Sequence, residues 1–596
     1  MCGFAGFFWT DPRLGNEGAL ARIARMTASI AHRGPDEQTS ALTSFAAVGF
    51  RRLSIIDLET GSQPVRSVRG DVTVFFNGAI YNYPQLRDEL IARGHRFRSH
   101  GDTEVILKAY AEWGEACIER LLGMFAFALW DARERKLFLA RDRMGIKPLY
   151  YSHRNERFRF ASSAPALLAA GDEDTDLDAA GLHHLFTLHG VVPAPRTILK
   201  GVRKLEPGHT LSIDAQGNAR LNRYWTLRSV RPERSLSQGE WLEAVREALG
   251  RAVARRRMIA DVPVGVLLSG GLDSSLIVGL LAEAGQEKLL TFSVGFEDQP
   301  EEKGSEFEYS DPVAEKFATD HHKLLIPNDQ VLLRLPEAVR HMAEPMFGQD
   351  AVAFYLLSEQ VARHVNVVQS GQGADEVFAG YFWYPRMAEA QGSELERFAH
   401  HYFDRDHNEY RQLIAPEHHG PDYTSELIAA RFAAIQGDEY LDKVLNLDVT
   451  TLIVEDPVKR VDNMTMAYGL EARTPFLDQE LVERAAAMPP EYKLRDGGKH
   501  ALKAIARGLL PDNVIDRPKA YFPMPALKYV RGAFYDFMRD LLTSQACRER
   551  GLYQRAYVDR MLAEPDRHHT RILGSKLWQL ALLELWLQTH MDRRPC

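Results

Sequence analysis

Val264-Gly-Val-Leu-Leu-Ser-Gly-Gly-Leu-Asp-Ser-Ser275 is a strand that runs into a glycine loop and out into a helix. Residues 264–268 are apolar without alternation, as a strand covered on both faces requires, and an apolar helix follows over 274–284. Gly270 and Gly271 let the backbone close on an anion where helix N–H groups and the helix dipole attract phosphate. Ser269, Ser274 and Ser275 add hydroxyl donors, whereas Asp273 would repel phosphate if turned inward and suits Mg²⁺ or the loop itself. The plain alternative is a tight strand-to-helix turn with no ligand. The chain has no G-x-x-x-x-G-K-[ST] motif, which argues against γ-phosphoryl transfer.

Working outward, the same alternation recurs downstream. Strand-like runs at 289–296 and 365–369 are separated by helical segments, the pattern of a parallel, doubly wound α/β sheet. A second glycine turn, Ser370-Gly-Gln-Gly-Ala-Asp-Glu376, follows the later run. It lacks the third glycine of a dinucleotide fingerprint, and Asp375 and Glu376 suit Mg²⁺ or a ribose better than a pyrophosphate. An acidic surface turn is the alternative. From about residue 385 the chain reads as predominantly helical.

Upstream the pattern differs. Short apolar or alternating strands are expected over 72–76, 124–130 and 136–140, with a hairpin loop at 131–135 and helices over 81–94 and 104–113. This describes an α+β half rich in antiparallel sheet. Leu205-Glu-Pro-Gly208 and the polar stretch through Arg234 mark a break. The expected domains are residues 1–210 and 241–596, joined by a linker over 211–240. A chain of 596 residues is too long for one core.

A net charge of −8 argues against nucleic acid or an anionic membrane as the main partner. The apolar opening lacks a basic flank, so it is no secretory signal, and no apolar run reaches the roughly 18 residues of a membrane span. Cys2, Cys117, Cys547 and Cys596 lie far apart, with neither zinc spacing nor a disulfide framework. A cytoplasmic protein is the expectation. The His pairs 183–184, 321–322 and 568–569 lack metal-ligand spacing and read as structural or surface groups.

Cys2 stands directly behind Met1. If Met1 is removed, one residue carries both a thiol and an α-amine of pKa near ~8, which can take the thiol proton at neutral pH. Alone, a cysteine at this position has chance as its plain reading.

Taken together the chain resembles the asparagine synthetase B family of glutamine-dependent amidotransferases. The first half is similar to its class II, N-terminal-nucleophile glutaminase through Met1-Cys-Gly-Phe-Ala-Gly6, His32-Arg-Gly-Pro-Asp36, Arg52-Leu-Ser-Ile-Ile-Asp57, Asn77-Gly78, Gly101-Asp102 and Ala140-Arg-Asp-Arg143. The second half is similar to its ATP-pyrophosphatase domain through both glycine loops, Glu471-Ala-Arg-Thr-Pro-Phe-Leu-Asp478 and Gly498-Lys-His-Ala-Leu502.

The resemblance implies roles. Cys2 attacks the glutamine carboxamide, and Asn77 with the Gly78 N–H forms the oxyanion hole. Arg52, Leu53, Ser54, Ile55, Ile56, Ala79 and Asp102 fall at glutamine-binding positions, Arg52 for the α-carboxylate and Asp102 for the α-ammonium. Leu268, Ser269, Gly270, Gly271, Asp273, Ser274, Val294, Ser370 and Gly371 fall at ATP-binding positions. Asp273 and Asp375 carry Mg²⁺, and Lys499 stabilises charge around an acyl-adenylate. Arg517-Pro-Lys519 is a further basic cluster. Glutamine and a small carboxylate acceptor are the implied partners, ATP and Mg²⁺ the cofactors, and a homodimer is compatible. Ammonia has to cross an internal, largely apolar passage between the sites.

Two positions depart from the common pattern. Ala79 stands where many members carry glutamate, so part of the amino-group recognition falls to Asp102. Gln372 stands where asparagine-forming members carry glutamate; glutamine cannot accept a proton, which leaves Glu376 or substrate phosphate for that task. Phe160-Ala-Ser-Ser-Ala-Pro165, Leu182-His-His184, the stretch 192–201 and the stretch 373–381 look closer to a subgroup that amidates the C-terminal carboxylate of N-acetylglutaminylglutamine, an osmoprotectant. The acceptor readings are therefore aspartate, or a related carboxylate, and that dipeptide. A glutamine- and nucleotide-sensing module without turnover is the alternative of another class.

Overall fold

The computed structural model describes residues 2–9, 18–43, 45–154, 157–298, 303–517 and 530–592. Its first half holds two six-stranded antiparallel sheets. One runs Arg203–Lys204, Tyr150–Arg154, Arg157–Ala161, Gly3–Trp9, Ala46–Arg52, Glu37–Leu42; the other runs Ala219–Arg223, His209–Ile213, Lys136–Arg141, Gly123–Asp131, Val72–Ile80, Val65–Arg66. Phe4, Phe50 and Phe160 of the first sheet meet Phe75, Trp130 and Leu139 of the second in one buried cluster. Helix Ala19–Ser29 covers the outside of one sheet, and helices Tyr83–Ala92 and Asp102–Trp113 cover the other. The central strands are therefore buried on both faces, which is why apolar runs such as Val72–Ile80 show no clean alternation, while the edge strands Glu37–Leu42 and Ala219–Arg223 stay partly or wholly exposed. The pairing of Ala219–Arg223 with His209–Ile213 carries the second sheet past residue 210, so the ordered first half runs to Arg223 and the connection to the next helix is short.

That helix, Gln238–Met258, opens on a Ser237–Glu240 capping box. Beyond it lies a five-stranded sheet, all parallel, in the order Asp320–Ile326, Leu290–Phe296, Val264–Leu267, Val367–Gln369, Glu471–Arg473. The three central strands match the expected runs. The two outer strands escape sequence reading, Asp320–Ile326 because it is mostly polar and Glu471–Arg473 because it has three residues, two of them charged. Helices dominate from residue 383 onward. Among the described residues no helix is long and apolar enough to cross a membrane.

The halves share their cores. Leu53, Ile55, Tyr81 and Met144 pack in the same cluster as Val266, Leu268, Leu272 and Ile453. Buried ion pairs cross the same boundary: Asp462 receives Arg33 at 2.9 Å and Lys147 at 3.2 Å, and Glu344 receives Lys204 at 3.0 Å and the Tyr150 hydroxyl at 3.0 Å. Such pairs are stable only where every member keeps its partner, so they fix one relative placement of the halves.

Candidate active sites

Cys2 sits at the head of strand Gly3–Trp9, in the middle of its sheet, and is buried. Its backbone N–H donates to Asn77 Oδ1 at 3.0 Å. Asn77 is fully buried in strand Val72–Ile80, and its Nδ2 has no hydrogen-bond partner among the described residues. An orphaned buried amide donor costs about 1–3 kcal/mol unless a bound group accepts from it. A Cβ on Gly78 would lie 2.1 Å from the Met124 carbonyl oxygen, so only glycine fits there. Burial raises the Cys2 thiol above its ordinary range, opposed by the chain's own terminal amine, the Leu53 backbone and Arg52.

A cavity opens at Cys2 between Arg52, Leu53, Ile55, Ile56, Gly78 and Asp102. Arg52 is held by the Asp57 carbonyl at 2.7 Å and Glu37 at 3.5 Å. Asp102 begins helix Asp102–Trp113 and accepts the Ile80 N–H at 3.0 Å. Burial pushes its carboxyl up to about 7, partly offset by the Ile80 N–H and by Arg473. Two expected glutamine contacts stand apart from this cavity. Ala79 is fully buried in the core shared with Met124 and Tyr81 and does not line the cavity. Ser54 is engaged instead through its N–H, which donates to Asp36 at 2.7 Å. Sequence reading missed Glu471, a wall of the same cavity that comes from the edge of the parallel sheet and pairs with Arg473 at 2.6 Å. No local signal could link it to Cys2; only the fold brings it there.

The second centre lies at the end of strand Val264–Leu267. Gly270 has φ +71, and a Cβ there would come 2.6 Å from the Ser310 backbone nitrogen. Ser269 and Ser274 brace the loop through their hydroxyls at 3.1 Å, and the Ser269 N–H donates to Ser274 at 3.2 Å. Ser275 is buried one turn into the helix. Leu268 is buried beneath the loop, its carbonyl accepting the Ser293 hydroxyl, and Val294 is on the neighbouring strand.

Ser370 and Gly371 approach from the other side, where a Cβ on Gly371 would lie 3.0 Å from that of Asp273. Lys499 Nζ stands between the loops, 2.6 Å from Asp273 and 2.8 Å from Asp375. Burial disfavours its charge, but the two carboxylates outweigh this and hold it firmly protonated. Gly380 makes room, since a Cβ there would lie 2.3 Å from Lys499 Cε. Arg517 reaches the Gly270 carbonyl at 3.2 Å and pairs with Glu306; Pro518 and Lys519 lie outside the described residues.

Gln372 is half-buried in the second loop. Glu376 is buried behind it, accepts from the Tyr381 hydroxyl at 2.9 Å and is pushed up to about 8 by burial and by Asp448 and Asp375. Asp448, raised to about 7 by burial, accepts from Tyr384. The pair therefore keeps a proton at neutral pH, which favours hydrogen-bond donation by Glu376 over the base role left open for it. Asp448 escapes sequence reading because it comes from a helical turn far along the chain, at Asp448–Leu452, whereas Tyr381 and Tyr384 follow Glu376 closely.

The comparisons with known proteins agree with this division. Residues 1–225 match the glutamine amidotransferase domain family and residues 244–588 match the asparagine synthase family. The chain is 31% identical to Asparagine synthetase [glutamine-hydrolyzing] 1 of Bacillus subtilis (strain 168), over 100% of this chain and 98% of that protein. It is 33% identical to Asparagine synthetase [glutamine-hydrolyzing] 3 of the same strain, over 88% of this chain and 87% of that one. It is also 33% identical to a putative asparagine synthetase [glutamine-hydrolyzing] of Mycobacterium tuberculosis (strain ATCC 25618 / H37Rv), over 98% and 97%. With both halves matched in order and relatives aligned end to end, the chain belongs to the asparagine synthetase family of glutamine-hydrolysing amidotransferases.

Proposed function

We propose that this amidotransferase converts a small carboxylate to its carboxamide through an acyl-adenylate, drawing ammonia from glutamine at Cys2 and energy from ATP at the Ser269–Ser275 loop. At the first centre, the Cys2 sulfur attacks the glutamine amide carbon and ammonia leaves. Water then cleaves the thioester to glutamate. Asn77 Nδ2 and the Gly78 N–H receive the developing oxyanion, a role in which each donor is typically worth several kcal/mol. Arg52 and Asp102 hold the α-carboxylate and α-ammonium ends.

At the second centre the acceptor carboxylate attacks the α-phosphorus and pyrophosphate departs from the Gly270 loop. Ammonia then displaces AMP from the mixed anhydride. Lys499 holds charge on the α-phosphate throughout. Asp273 and Asp375 offer the hard carboxylate oxygens that suit Mg²⁺, which when bound would neutralise charge on the departing phosphates. The observation that carries this reading is Lys499, drawn between Asp273 and Asp375 from three distant segments. The apolar cluster joining Leu53 and Ile55 of the first cavity to Leu268 and Leu272 of the second supports an enclosed route for ammonia.

Aspartate is the acceptor favoured by the names of the relatives. The second reading, N-acetylglutaminylglutamine, is favoured by the stretches 160–165, 182–184, 192–201 and 373–381 that look closer to that subgroup, and Gln372 departs from the pattern of asparagine-forming members. Pyrophosphate and glutamate are measured with glutamine, ATP, Mg²⁺ and each acceptor. Aspartate-dependent pyrophosphate supports the first reading, and pyrophosphate seen only with the dipeptide replaces it with the second. Cys2→Ala is expected to lose glutamine use and keep ammonia-dependent turnover; retention of glutamine use overturns the assignment.

A further inference from the structure

His183, His407 and Asp422 converge although more than 200 positions separate the first from the other two. His183 lies on helix Ala179–Thr187, within the amidotransferase-like half. His407 starts helix His407–Leu413 and Asp422 precedes helix Tyr423–Ala434, both in the synthetase-like half. His183 Nε2 is 3.0 Å from His407 Nδ1 and 3.7 Å from Asp422 Oδ1, and the three donor atoms lie within 4.8 Å of one another. Tetrahedral coordination at about 2.0–2.2 Å spaces donor atoms at roughly 3.3 Å, so small side-chain rotations suffice.

We propose that His183, His407 and Asp422 bind one divalent transition ion of the Zn²⁺ class, a cross-brace between the two halves and separate from both catalytic centres. The second shell fits such a site. His183 Nδ1 lies 2.6 Å from the Thr424 hydroxyl, which is buried and also 3.0 Å from His184 Nδ1. With one proton to give, Thr424 accepts from one imidazole and donates to the other. When it accepts from His183 Nδ1–H, His183 Nε2 presents its lone pair to His407 and Asp422, the tautomer a metal needs.

The Tyr410 ring, 4.4 Å from that of His183, fixes the imidazole plane. Asp422 keeps its helix cap through the Ser425 N–H at 3.1 Å and hydroxyl at 2.7 Å, while its side chain stays 35% exposed, so an ion and a completing water can enter. Two imidazoles and one carboxylate favour Zn²⁺ or Co²⁺ over Mg²⁺.

The test titrates untagged full-length protein with Co²⁺, read by visible absorption, and with Zn²⁺ against a chromophoric chelator. Expected is one tetrahedral Co²⁺ per chain and a Zn²⁺ affinity that His407→Ala and Asp422→Asn each weaken by about 100-fold or more. Asn preserves the helix cap, so Asp422→Asn reports on the ion even if His407→Ala fails to fold. Thr424→Val is expected to cost about 10–100-fold through the second shell. Equal binding by the wild type and either folded variant, or no tetrahedral Co²⁺ in the wild type, overturns the site.

Discussion

We predict that Asp102 makes glutamine binding at the Cys2 cavity pH-sensitive. Its carboxyl stands at about 7, against 3.8 for an unburied aspartate, because burial penalises the charge more than the Ile80 N–H relieves it. Glutamine brings an α-ammonium that pairs only with the ionised form. At pH 8 about nine-tenths of the sites are ionised and at pH 6 about one-tenth, so the glutamine Kd should rise about tenfold between those values. Calorimetric titration of the Cys2→Ala variant isolates binding from thiol chemistry. Asp102→Asn should weaken glutamine by about 10–100-fold, the worth of a charge-assisted contact, and flatten the pH profile.

The same group carries a stability signature. The native state holds a proton that the unfolded chain releases above about pH 4, so stability falls as pH rises from about 4 to about 7 and then levels. The full cost is about 4 kcal/mol at about 1.4 kcal/mol per pH unit. Asp102→Asn should therefore raise the melting temperature more at pH 8 than at pH 5. A glutamine Kd constant within twofold from pH 8 to pH 6 refutes the reasoning, as does an equal pH profile in Asp102→Asn.

Three further outcomes follow from the geometry. Lys499→Met leaves Asp273 and Asp375 facing each other without their cation, and should cut acceptor-dependent pyrophosphate release by about 10²–10³-fold while glutamine hydrolysis persists. Gly78→Ala forces a Cβ against the Met124 carbonyl oxygen and should cost about 1–3 kcal/mol in denaturant titration together with most glutaminase activity. Asp462→Asn strips the buried partner from Arg33 and Lys147 and should destabilise the chain by about 3–5 kcal/mol; a change below about 1 kcal/mol would show that water reaches these pairs.

By itself the sequence determined the two halves, and through its resemblance to a family it put forward the ATP loop and the nucleophile. A glycine loop between an apolar strand and helix, or a cysteine behind Met1, is legible within a dozen residues, while its role rests on the resemblance. The same resemblance put forward Asn77, Gly78, Arg52, Asp102 and Lys499 as site residues. Ala79, expected at a glutamine-binding position, packs in the core with Met124 and Tyr81. Only tertiary structure decided what depends on distant meeting: Glu471 at the wall of the Cys2 cavity, Asp448 beside Glu376, and His183 against His407 and Asp422. In each case the interacting groups arrive from elements far apart in the chain. Their meaning comes from burial and from short distances to one another, which only packing creates.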